Sequence, residues 1–133
     1  MNRWLPLVPP LLVYIVSLLL LTGPNYYEVY PNADNVMHFL GGASIFTMAY
    51  LATYKLRLAD SFLKLSSGLQ FLFYLSFVAL FVVGWEVYEF GSDLWLGTRT
   101  QPSLVDTITD MVMGMLGGLL SISLFFSLRR GEK

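Results

Sequence analysis

The stretch DNVMHFLGGASIFTMAYLATY, Asp34–Tyr54, decides the fold. Beyond its first turn it carries no charge and is long enough to cross a bilayer core, which takes about 20 mostly apolar residues. Yet an acid and the chain's only histidine stand at its mouth, four residues apart. Asp34 and His38 therefore share one helical face, with His38 about 6 Å deeper along the axis.

Working outward, three more segments share this character. They run from about 4 to 21 (WLPLVPPLLVYIVSLLLL), 69 to 90 (LQFLFYLSFVALFVVGWEVYEF) and 104 to 128, with short connections. The 133 residues are 56% hydrophobic, 16% aromatic and only 13% charged. Soluble domains carry about 25% charged residues, so the class is integral membrane. The expected fold is all-α: a single domain over 1–133, a four-helix transmembrane bundle in the cell membrane. The first segment is expected to be retained as an anchor, because LTGPNYY reads as a helix stop with Tyr26 and Tyr27 at the interface, without an A-x-A cleavage pattern. Pro6, Pro9 and Pro10 sit in its first turns, where proline costs least.

The basic residues orient the bundle. Arg3, then Lys55, Arg57 and Lys64, then Arg129, Arg130 and Lys133 fall in regions that four spans put on one side. Only Arg99 falls on the other. The positive-inside rule then predicts both termini in the cytoplasm.

On that topology Asp34 and His38, then Glu86, Glu89 and Asp93, then Asp106 and Asp110 all gather at the outer end. Asp106 and Asp110 are spaced i,i+4; Glu86, Glu89 and Asp93 are spaced i, i+3, i+7. Each set lines one helical face. Asp34 and Asp106 also suit N-terminal capping. Glu86, Glu89 and Asp110 do not: intramembrane carboxylates are costly and mark function. Six carboxylates in one cleft need protons or a cation, and oxygen ligands with one imidazole suit Mg²⁺, Mn²⁺, Fe²⁺ or Zn²⁺. The expected metal ligands are His38, Glu86, Glu89, Asp106 and Asp110, with Asp34 and Asp93 at the rim or behind them. In an enzyme of this kind, Glu89 would be the general base and Arg99 the clamp on an anionic substrate, a phosphate or ester of a lipid or cell-envelope precursor. The alternatives are a proton- or divalent-cation-coupled transporter or channel subunit, whose pore an oligomer could build, and a non-catalytic protein that binds a cation or an antibiotic.

Other chemistries are excluded by content. The chain has no cysteine, so there are no thiolate sites, and one histidine rules out HExxH. There is no G-x-S-x-G, no P-loop, no dinucleotide fingerprint and no basic patch for nucleic acid. A Ser–His pair through Ser44 or Ser103 is conceivable, with nothing in the sequence to position it. Gly114-x-x-x-Gly118, and Gly41 and Gly42 below His38, are helix-packing residues.

DNVMHF, WEVYEFGSD and RTQPSLVDTITDMVMGMLGG together resemble the VanZ-like membrane proteins and their small bacterial relatives. Those carry an Asp-x-x-x-His pair opening a helix, an acid-bearing helix end, then Arg, then Ser-Leu-x-Asp-x-x-x-Asn or Asp with glycines following. The matching residues are Asp34, His38, Glu86 or Glu89, Arg99, Ser103, Asp106, Asp110 and Gly114, within about 34–120. Asp110 stands where VanZ itself tends to have Asn, and no Gln follows the helix-end acid in the usual place. The likeness is therefore to the acidic relatives. It implies an envelope-associated role, with glycopeptide resistance in VanZ itself.

The topology is directly measurable, because a cysteine-free chain gives no labelling background. A membrane-impermeant maleimide applied to intact cells is expected to modify Arg99→Cys and to spare Lys64→Cys. The reverse pattern would invert the orientation.

Overall fold

A computed structural model describes residues 4–22, 29–30, 32–55 and 59–131. The segment carrying Tyr26, Tyr27 and Glu28, and the charged residues Arg3, Arg57, Glu132 and Lys133, lie outside the described residues. All regular structure in the described residues is helical. A 3₁₀ turn, Leu5–Leu7, leads into α1, Val8–Thr22. Then come α2, Asn32–Lys55, a single turn at Ala59–Phe62, α3, Ser67–Leu96, and α4, Leu104–Gly131. Pro6, Pro9 and Pro10 stand in the 3₁₀ turn and the first turn of α1, where few helical hydrogen bonds are lost.

Three helices are long and apolar enough to cross a membrane: Asn32–Tyr54, Ser67–Leu96 and Leu104–Arg129. The apolar helix at Leu5–Leu20 is shorter. Large apolar side chains such as Leu72, Leu80, Val83, Val87, Leu94 and Leu124 point outward. Aqueous solvent would penalise that surface and lipid accommodates it.

The third helix is longer than its sequence suggests, running to Leu96 rather than to about 90. Gly91 and Ser92 look like a stop, but both are buried within the helix. The Ser92 hydroxyl donates to the Tyr88 carbonyl at 2.9 Å, and the Trp95 ring covers Gly91. The stop is Gly97, whose φ of 68° gives the left-handed cap that glycine adopts without strain. Glu86 and Glu89 are thus interior helix residues. The unfavourable dipole expected at a helix C-terminus does not act on them, because it fades within the last turn.

α2 is the central element and packs on α1, α3 and, most extensively, α4. Its contact with α4 is backbone against backbone. A Cβ at Gly42 would run into the Gly114 carbonyl, and one at Gly117 into the Phe39 carbonyl. Gly114 and Gly118 also admit the Val82 and Val78 side chains of α3. The core beneath is Phe46, Ala49, Tyr74, Val78, Val82 and Ile122, extended by edge contacts among Phe46, Tyr50, Tyr74 and Phe125. At the far end the buried Gln70 amide donates to the Leu65 carbonyl at 2.8 Å and its oxygen accepts from Arg129 at 3.0 Å.

Gly41 has open space where a Cβ would go, which makes it an internal control for Gly42. Gly42→Ala is expected to destabilise the detergent-solubilised protein by about 1–3 kcal/mol, the usual cost of overpacking. Gly41→Ala is expected to leave the unfolding midpoint near that of the wild type. Equal effects of the two substitutions would contradict the backbone contact.

Candidate functional site

The start of α2, the last third of α3 and the start of α4 meet at one end of the molecule, and His38 stands between them. Its Nε2 lies 3.6 Å from Asp34 Oδ1 and 3.8 Å from Asp110 Oδ2. Its Nδ1 lies 3.7 Å from Glu86 Oε1. Each helix contributes through its own periodicity: Asp34 and His38 one turn apart on α2, Glu86 and Glu89 on α3, Asp106 and Asp110 on α4. Two sets of atoms come within 4.8 Å of one another, Asp34, His38 and Asp110, and His38, Glu86 and Glu89. Five of the seven expected ligands thus come together, four carboxylates around the one imidazole.

Burial makes this arrangement costly. Asp110 is 2% exposed and Glu86 5% exposed. Among the described residues, the buried Glu86 Oε1 and Asp106 Oδ2 are without a hydrogen-bond partner. No lysine or arginine among the described residues pairs with these acids; their one basic neighbour is His38. The separations of 3.6–3.8 Å exceed hydrogen-bonding distance, about 2.7–3.2 Å. They are close to the spacing of two ligands on one ion, about 3.4 Å for a tetrahedral centre with bonds near 2.1 Å.

The remaining site residues have other placements. Ser103 caps α4, its Oγ accepting from Asp106 N at 3.1 Å, so the Asp106 carboxylate is free of that task. Asp106 stands a turn before Asp110, outside the two sets that include His38. Ser44 Oγ donates to the Gly41 carbonyl at 2.7 Å. Both candidate serines are therefore engaged by their own helices. Asp93 does not join the ligand sets but ties the α3–α4 connection down. Its Oδ1 accepts from Thr98 Oγ1 at 2.5 Å, Thr100 N at 2.8 Å and Thr100 Oγ1 at 2.9 Å, and its Oδ2 accepts from Gln101 N at 2.9 Å. Arg99 is exposed on that connection and forms no ion pair with a described carboxylate.

One participant has no counterpart among the expected site residues. Gln101 Nε2 donates to Glu86 Oε2 at 2.9 Å and to the Glu86 carbonyl at 3.0 Å. The connection held by Asp93 thereby delivers an amide to the most enclosed acid of α3. The available signal was a lone amide side chain in a short loop between two acid-bearing helices.

The long apolar helices define the class: a multi-pass membrane protein, here with a buried histidine and acidic cluster at one end. The family model described as "Predicted membrane protein (DUF2238)" matches residues 3–131, and the chain belongs to that family. The match includes the first helix, which the VanZ-like motifs leave out, and the VanZ likeness itself rests on those motifs alone. No curated protein and no solved structure matches the chain.

Asp93→Ala removes the acceptors of two backbone amides. Exchange of the Thr100 and Gln101 amide protons is expected to accelerate by ~10-fold or more as local opening becomes easier, with the amides around Val78 and Ile122 unchanged. Unaltered exchange at 100 and 101 would show that the connection is held by other contacts.

Proposed function

We propose that this protein is a four-helix membrane bundle, both termini cytoplasmic, that binds a divalent cation near the extracytoplasmic face through carboxylates gathered around His38. One observation carries the reading. Asp34, Glu86, Glu89 and Asp110 surround a single imidazole in a largely buried setting, at separations that flank an ion better than they bond to each other. Buried acids without partners cost several kilocalories each unless neutralised, and a divalent cation neutralises two charges at once. The mixed oxygen and nitrogen donors suit Zn²⁺, Mn²⁺ or Fe²⁺, and Mg²⁺ through its oxygens.

Such an ion would act as a Lewis acid on a phosphate or ester oxygen. The reading extends to hydrolysis or transfer on a lipid-linked, phosphate-bearing envelope precursor. Glu89 stands beside His38 and Glu86 but pairs with no lysine or arginine among the described residues, and suits the proton acceptor. Arg99, exposed and outside any described ion pair, suits the anion. The VanZ-like motifs agree with an envelope role. A conduit has less support: Phe46, Tyr74, Val78 and Ile122 pack beneath the site, the last two fully buried. Among the described residues that layer carries no carboxylate, lysine, arginine or histidine to continue a pathway inward.

Purified wild-type protein is expected to retain a divalent metal by elemental analysis. Added Zn²⁺ or Mn²⁺ at about 100 times Kd is expected to stabilise it by about 2.7 kcal/mol, and His38→Ala is expected to abolish both effects. Metal-free wild type with an unmoved unfolding midpoint would sink the proposal.

A further inference from the structure

Resting on the divalent-cation reading, the geometry points to a division of labour on His38. Nε2 is the metal ligand, together with Asp34 and Asp110. Nδ1 faces Glu86 Oε1 across 3.7 Å, and metal binding at Nε2 would draw its N–H onto that oxygen, with Gln101 holding Glu86 in place as a positioning residue.

The two ring nitrogens face different surroundings. Nε2 has two carboxylates within 4 Å, Asp34 from its own helix and Asp110 from α4. Nδ1 has one, Glu86. A cation gains more from the first side, where two carboxylates neutralise it. That side also lies across the α2–α4 contact, where Gly42 and Gly117 bring the backbones together and fix the ligand spacing. The Asp34 side chain is 34% exposed against 3% for Asp110 and 6% for Glu86. An ion therefore reaches Nε2 past Asp34, whereas the Nδ1 side is closed by α3. The orphaned Asp106 Oδ2 lies one turn before Asp110 on α4, behind this ligand set rather than in it.

On the Nδ1 side Glu86 is already half committed. Its Oε2 accepts from Gln101, and its unpartnered Oε1 is turned toward the imidazole. A neutral imidazole coordinating through Nε2 carries its proton on Nδ1, and that proton needs an acceptor. Glu86 Oε1 is the acceptor at hand. The Gln101 amide fixes the carboxylate plane and leaves Oε1 for the imidazole. Glu89, on the same side as Glu86, remains unligated and free to move a proton.

The chain has one histidine, so ¹⁵N-imidazole labelling yields a single pair of ring resonances. With ¹¹³Cd²⁺ as the probe and the full-length protein in micelles, scalar coupling is expected at Nε2 while Nδ1 keeps its proton. In Glu86→Gln the coupling at Nε2 is expected to persist, the Nδ1 resonance to move, and affinity to fall 10- to 100-fold, the usual loss when a residue behind a ligand is changed. Gln101→Ala is expected to shift Nδ1 in the same direction. Coupling at Nδ1, or bound cadmium coupled to neither nitrogen, would overturn this assignment and leave the divalent-cation reading standing. Absence of any bound ¹¹³Cd signal would overturn both. The wild-type spectrum alone decides these outcomes if a variant fails to fold.

Discussion

The close approach of α2 and α4 is the constraint on which the rest depends. Gly42 meets the Gly114 carbonyl and Gly117 meets the Phe39 carbonyl without a side chain between. In lipid there is little hydrophobic gain from bringing helices together, so small residues and close backbone packing take over that role. The contact begins one residue beyond His38 on α2, and on α4 its first glycine lies one turn past Asp110. It therefore sets the distance between the imidazole and its most enclosed carboxylate. α3 is placed against the same pair by Val78 and Val82, which rest on Gly118 and Gly114. Glu86 follows one turn after Val82 and is carried to the opposite edge of the imidazole.

This packing creates an electrostatic problem. Two like charges 4 Å apart repel by about 4 kcal/mol at an effective dielectric of 20, and several carboxylates share this end of the bundle. Among the described residues, lysine and arginine salt bridges do not resolve it, because Lys64 and Arg99 are exposed and Arg129 serves Gln70 at the far end. Hydrogen bonds resolve part of it: Gln101 satisfies one oxygen of Glu86, and the loop amides and hydroxyls satisfy Asp93. The buried oxygens without such donors among the described residues, Asp106 Oδ2 and Glu86 Oε1, are on the two helices that face the imidazole. A cation there answers the problem in one step, which is why the site and the fold are best understood together.

Much of this was legible in the sequence, for identifiable reasons. Apolar length marks α2, α3 and α4 as spans, and helical periodicity puts Asp34 with His38 and Asp106 with Asp110 on single faces. The convergence of those faces is also foreshadowed, because short connections force antiparallel neighbours. Three things were not legible. Gly91 reads as a stop, but Gly97 ends the helix, since Trp95 and Ser92 extend the packing by two turns. Asp93 reads as a rim ligand, yet four donors from the following loop claim its oxygens. Gln101 goes unnoticed because its partner is 15 residues away. Each depends on how a loop folds back on a helix end, which periodicity does not encode.

The most direct measurement of the central claim is an anomalous difference map from crystals of the protein grown with Zn²⁺ and recorded above and below the zinc edge. A peak is expected about 2.1 Å from a ring nitrogen of His38, enclosed between α2 and α4 within reach of Asp110. Density confined to surface carboxylates such as Asp60, with no peak beside His38, would contradict it.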